Sequence, residues 1–251
     1  MNAADLIPVV LLIMLALSLA SATGMFFLIS QWRRRHRIGL DRVADEDSTL
    51  FSHAARPHPF LSHRPMSWLA VRSRNLRAVQ AALRLTNPKP CTWTEGLAGE
   101  QKLFIAPPVN GWILIVGTGL PDPCDDVDAC FLFLLDLSRQ LGQVQFFLAN
   151  RILGHHAWVR AESGRVNRAY AWAGETLWNQ GLKTEAERQL GLNCFEYLET
   201  PDYLPFGQPS SIASNTEKVP LLAAHWSLDP ASIDERVLTH ASGVAGDLRR
   251  I

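Results

Sequence analysis

Asp122, Asp125, Asp126 and Asp128 crowd four carboxylates into one short stretch, with Cys124 among them. Carboxylates at this density can hold a hard cation such as calcium or magnesium. The spacing does not follow the loop of an EF-hand, and a helix begins directly afterwards. Acidic residues at a helix N-terminus accept from free N–H groups and oppose the helix dipole. Capping is therefore the first expectation for this cluster. His155-His156 is the second candidate, as a metal site with Cys124 or Cys130, or as the base of a Cys–His pair. Adjacent residues on a strand point to opposite faces, so two neighbouring imidazoles do not readily reach one ion. A nucleophile and base must also meet in space, which spacing alone does not show. The ordinary reading is two structural histidines at the start of a strand. Asp122, Cys124, Asp125, Asp126 and His156 are thus the candidate ligand or metal residues, and no catalytic residue is assigned.

Two other motifs carry less. Gly117-Thr118-Gly119 follows an apolar run, as in a phosphate loop. A dinucleotide fingerprint needs a third glycine and an immediate helix. Here Leu120-Pro121-Asp122-Pro123 intervenes, and the aspartates would repel phosphate. No cofactor is expected. The four cysteines, Cys91, Cys124, Cys130 and Cys194, form no C-x-x-C pair, so no zinc ribbon or thioredoxin-type motif is present. Buried, reduced thiols are expected for Cys130 and Cys194.

The elements that must position these residues follow from periodicity. Ser67 is placed to cap a helix from Trp68 to about Leu85, with Leu69, Leu76, Val79 and Leu83 on one stripe and Asn87-Pro88-Lys89-Pro90 as its stop. Thr92 and Glu95 have capping-box spacing. Leu103 to Ala106 and Trp112 to Val116 read as strands, the second a run covered on both faces. A helix from Asp125 or Asp126 to Leu141 is apolar nearly all round and is expected to be buried. Strands resume at Gln143 to Ala149. A hairpin pairs Ala157–Ala161 with Val166–Trp172 across Ser163-Gly164, with Glu162 opposite Arg165. In that register Ala157, Val159, Val166, Tyr170 and Trp172 share the face toward the buried helix, and a one-residue slip would change the partners. Thr184 and Glu187 make a second capping box. Val219 to Trp226 and the stretch from Asp229-Pro230 are further helices. The expected fold is α+β, a mainly antiparallel sheet on a buried helix.

The chain has 251 residues with 24 basic and 24 acidic side chains, so its net charge is zero. That excludes a general nucleic-acid binder, which needs a basic surface. Eight tryptophans are many, and most are expected in the core.

Leu6 to Trp32 holds no charge, and Arg33-Arg34-Arg35-His36-Arg37 follows. Such a segment is long enough to cross a hydrocarbon core of about 30 Å as a helix. The basic block marks the side that follows as cytoplasmic. A cleaved signal peptide is the rival, since Ala20-Ser21-Ala22 has the small-x-small form. The n-region lacks Lys and Arg, and the apolar run continues past that point, which favours a retained anchor. The expected organisation is a short tail at 1–5, a transmembrane helix at 6–29, a basic juxtamembrane segment and linker at 30–66, and a cytoplasmic α+β domain at 67–251. Arg33, Arg34, Arg35 and Arg37 would lie at the membrane surface. Arg72, Arg74 and Arg77 would add a basic helix face, turned to the bilayer or, more simply, to solvent. Ala20 and Gly24 could support weak self-association, although ordinary membrane-span residues explain them as well.

The block His156-Ala157-Trp158-Val159-Arg160, Gly164-Arg165-Val166 and Arg168 to Glu175, continued by Leu177 to Gly181 and Thr184 to Glu187, resembles a pattern in uncharacterised bacterial proteins. The resemblance implies a bacterial origin and one domain spanning the hairpin. It supplies no activity. The functional expectation is a membrane-anchored cytoplasmic binding or interaction module in the inner membrane, with a protein partner. The alternative is an enzyme of unspecified class, such as a hydrolase, with its site near the Asp122–Asp128 loop and His156.

Overall fold

In the computed structural model the described residues are 65–97, 103–199, 211–233, 237–238 and 241–248. The expected membrane helix, the basic block Arg33–Arg37 and nearly all of the linker lie outside them. Among the described residues no helix is long and apolar enough to cross a membrane.

The elements in chain order are β1 (Ser67–Arg72), α1 (Leu76–Ala82), β2 (Leu85–Cys91), α2 (Trp93–Leu97), β3 (Leu103–Ile105), β4 (Trp112–Val116) and α3 (Val127–Leu141). Then come β5 (Gln143–Asn150), β6 (His155–Glu162), β7 (Arg165–Trp172), β8 (Thr176–Gln180), α4 (Glu185–Gln189), α5 (Ser211–Trp226), a 3₁₀ turn (Pro230–Ser232) and β9 (Gly243–Leu248). The nine strands form one sheet in the order β2-β9-β3-β4-β1-β5-β6-β7-β8. Every pairing is antiparallel. The fold is α+β, dominated by this sheet.

Helices cover both faces. On one, Val79 of α1, Leu83 at its C-cap, and Cys130, Leu134 and Leu137 of α3 meet Leu69, Ile113, Ile115, Phe146, Val159 and Ala169. On the other, Val219, Leu222 and Ala223 of α5 meet Trp68, Trp112, Phe147, Trp158, Tyr170 and Trp172. Antiparallel sheets often leave one face to water and then alternate apolar with polar residues. Here both faces are dry, so the central strands read as continuous apolar runs.

That geometry corrects the expected helix at Trp68–Leu85. Trp68, Leu69, Ala70 and Val71 are all buried, and they form central strand β1 between β4 and β5. Only Leu76–Ala82 is helical, capped by Asn75, whose side chain accepts from the Ala78 N–H. Consequently Arg72 ends a strand and Arg74 sits in a turn, and only Arg77 rides a helix. The prolines taken as a helix stop belong to edge strand β2, with a register shift between Thr86 and Lys89. An edge strand tolerates a missing N–H on its outer side.

Helix α3 is amphipathic, not buried all round. Cys130, Leu134, Leu137 and Ser138 face the sheet, while Leu132 is 63% exposed. The hairpin turn is as expected: Ser163 and Gly164 both have positive φ, and Glu162 pairs with Arg165. One face is not. Arg160 pairs with Arg168 but Ala161 with Val166, so β7 carries one extra residue at Asn167. This bulge leaves Val166 on the α3 face and turns Arg168, Tyr170 and Trp172 to the α5 side. Strands β8 and β9 were not foreseen; β9 in particular is glycine-containing and weakly apolar, yet it fills the place between β2 and β3. Helix α5 begins upstream of the expected Val219.

Candidate functional site

The acidic cluster resolves into local backbone bonding. Asp126 is the N-cap of α3, its Oδ1 accepting from the Ala129 N–H at 2.9 Å. Asp122 Oδ1 accepts from the Cys124 N–H at 2.8 Å. Among the described residues no group of three His, Cys, Asp or Glu side chains is arranged to hold a metal ion. Cys124 packs against the α3 side of the sheet, and its thiol lies 3.9 Å from the Trp172 carbonyl. Burial, aided by the charge of Asp122, pushes its pKa far above the ordinary thiol range. Such a sulfur is no thiolate at neutral pH.

His156 is on the opposite side. Its ring stacks on Trp158 at 5.7 Å and is 1% exposed. Nδ1 lies 3.1 Å from the Gly154 carbonyl and Nε2 lies 3.2 Å from Asn215 Nδ2. A neutral ring donating at Nδ1 and accepting at Nε2 satisfies both contacts. Burial lowers its pKa to about 4. The structure therefore brings Asp122 and Cys124 together but seats His156 across the sheet from them.

The densest polar arrangement is a buried lock that the sequence reading missed. Arg168 is 2% exposed and Glu187 is fully buried. Arg168 Nε donates to Glu187 Oε1 at 2.8 Å, and the Trp158 indole N–H donates to the same oxygen at 2.8 Å. Glu187 Oε2 accepts from the Thr184 N–H and hydroxyl at 2.7 and 2.8 Å. One carboxylate thus closes the capping box of α4 and neutralises the arginine. The guanidinium also donates to Asn179 Oδ1, to the Gln180 carbonyl and to Cys194 Sγ. Burial pushes the Cys194 thiol up to about 11, against the lowering influence of Arg168. The Tyr170 hydroxyl accepts from the Phe195 N–H at 3.1 Å. Thr176 donates to the Phe195 carbonyl, and Tyr197 accepts from the Asn179 N–H on edge strand β8. These bonds fasten the 184–197 segment over the sheet and cover its edge.

A groove opens at one end of the sheet. It is lined by Arg72, Ser73, Arg74, Asn110, Gly111, Trp112 and Trp226, with a volume of about 430 Å³. Asn110 and Gly111, both at positive φ, make the two-residue turn between Val109 and Trp112. That turn sets Trp112 opposite Arg72 on β1, and the guanidinium lies over the indole at 5.9 Å. Trp226 comes from the last turn of α5. Its ring packs on Phe147, and its carbonyl accepts from Gln145 Nε2 at 3.0 Å. Among the described residues, Trp226 Nε1 and the buried Gln145 Oε1 have no hydrogen-bond partner. Among the described residues no carboxylate lines the groove, and its two arginines are exposed.

A second groove, about 240 Å³, lies between α1 and α3 and is mainly apolar, with Arg84 and Asp136 at its rim. No protein-family model, curated protein or solved structure matches the chain.

The Arg72 groove could have been suspected from Asn110-Gly111 as a tight turn presenting Trp112. The lock had a signal too, an arginine inside an otherwise apolar strand and a capping-box glutamate with one oxygen to spare.

Proposed function

We propose that this protein is a binding module held on the cytoplasmic face of the inner membrane by its N-terminal segment, and that the Arg72 groove is its ligand site. One observation carries the reading. Among the described residues, His156, Glu187, Cys124 and Cys194 are engaged in holding the fold, while the groove offers cationic and aromatic groups at its surface. His156 is bonded at both nitrogens, Glu187 accepts from Trp158, Arg168, Thr184 and Cys194, and the Cys124 and Cys194 thiols are held protonated. Those features weigh against a hydrolase that uses Cys124 as nucleophile or His156 as base. The anchoring half of the reading rests on the uncharged run Leu6–Trp32 and the basic block after it.

Two experiments test it. A reporter fused after Ile251 should be active in its cytoplasmic form, and periplasmic phosphatase activity would overturn the orientation. Native mass spectrometry of the full chain released from membranes should show a bound small molecule. The adduct should disappear in Arg72→Gln/Arg74→Gln. An adduct that survives in this variant would move the binding site elsewhere, and a wild-type chain without any adduct would count against a tightly held ligand.

A further inference from the structure

We infer that the groove takes a phosphate monoester carrying a flat ring, with the phosphate held by Arg72 and Arg74 and the ring against Trp226. The inference rests on the binding-module reading and names its ligand class.

The charge comes first. Arg72 and Arg74 lie two residues apart at the end of β1, both exposed, with the Ser73 side chain between them on the groove wall. The Ser73 hydroxyl accepts from the Asn75 N–H, and its own proton is left to donate. Guanidinium groups favour phosphate because the fork of N–H donors matches its oxygens. Arg72 is also pre-positioned. Its stacking on Trp112, a buried residue of β4, restricts a long side chain that would otherwise lose freedom on binding.

The flat part follows from Trp226. Its indole is half-buried, packed at a tilt on Phe147, and Trp226 lines the groove. Cationic groups beside a half-exposed aromatic ring suit a ligand with an anionic head and a planar body. A volume of about 430 Å³ is in the range of small-molecule sites.

A lipid headgroup shares the phosphate chemistry, and exchanging the lipid around the protein separates that source from a free phosphate monoester.

The test uses the full chain in nanodiscs of neutral phosphatidylcholine. Adenosine monophosphate, pyrophosphate and adenosine are titrated by calorimetry at fixed ionic strength. Adenosine monophosphate should bind, with adenosine and pyrophosphate each at least tenfold weaker. Arg74→Gln, in an exposed turn, should weaken binding at least tenfold without changing the melting temperature. Trp226→Leu should remove the preference over pyrophosphate. Replacing the lipid by anionic phosphatidylglycerol should leave the affinity unchanged; competition there would assign the groove to lipid and overturn the monoester. Equal binding of pyrophosphate, or wild-type affinity in Arg74→Gln, would also overturn the inference. A null titration with a wild-type adduct still seen by native mass spectrometry would sink the ligand class and leave the binding-module reading standing.

Discussion

Glu187→Gln is the substitution that most directly probes how the fold is locked. The change is nearly isosteric, but it removes the charge opposite Arg168 and puts an amide where two acceptor oxygens stood. Whichever way the amide turns, its NH₂ faces donors. On one side are Arg168 Nε and the Trp158 indole, on the other the Thr184 N–H and hydroxyl. Removing one partner from a fully buried ion pair costs about 3–5 kcal/mol. For a chain of this size each kcal/mol lowers the melting temperature by about 2–4 °C, so the expected drop is about 6–20 °C. Thr184→Ala removes only the cap and should cost about 1 kcal/mol. Arg168→Met leaves the carboxylate buried alone and should also be severe. The double variant Arg168→Met/Glu187→Gln should fall short of the sum by about 1–3 kcal/mol, because the second change removes a charge already orphaned. Thermal unfolding of the detergent-solubilised chain, followed by tryptophan fluorescence, gives all four values. A Glu187→Gln shift no larger than that of Thr184→Ala, or strict additivity in the double variant, would refute the lock.

The folded state keeps His156 neutral, with a pKa of about 4 against an ordinary value of 6.5. Protons then bind the unfolded chain first as pH falls, so this contribution is intact above pH 6.5 and lost progressively down to about 4. At pH 5 the loss is about 2 kcal/mol relative to neutral pH, and His156→Gln should flatten that part of the pH–stability curve measured in urea. Leu134→Ala, at a fully buried position of α3, should cost about 2–5 kcal/mol, whereas Leu132→Ala on the exposed side should stay within about 0.5 kcal/mol by the same assay. Mass-resolved alkylation at pH 7.5 should leave Cys124 and Cys130 largely unmodified in the native chain, since burial holds the first far above the usual thiol range and the second at about 12.

Much of the sheet was legible where a strand announced itself by a turn. Ser163-Gly164 fixed the hairpin, and Thr184 with Glu187 fixed α4, because both signals are local. The Trp68–Val71 run was read as helix because a strand buried on both faces loses the two-residue alternation that distinguishes it. The bulge at Asn167 left no local trace either. A single extra residue there sends Tyr170 and Trp172 to the α5 side, and with them Arg168, whose partner Glu187 lies in another element. The groove was hidden for the same reason. Arg72, Trp112 and Trp226 come from two strands and a helix end, and only the pairing of β1 with β4 and the packing of α5 make them neighbours. The aspartates, by contrast, were read correctly as capping groups at Asp126, since an N-cap depends on residues three positions away and nothing more distant.

Arginine-selective modification by phenylglyoxal, mapped by peptide mass spectrometry on the full chain in nanodiscs, tests the central claim most directly. In the free protein Arg72 and Arg74 should react while the buried Arg168 does not. Saturating adenosine monophosphate should protect Arg72 and Arg74 and leave the exposed Arg77 and Arg84 reacting as before. Equal protection at all four exposed positions, or none at Arg72 and Arg74, would contradict the assignment of the groove as the ligand site.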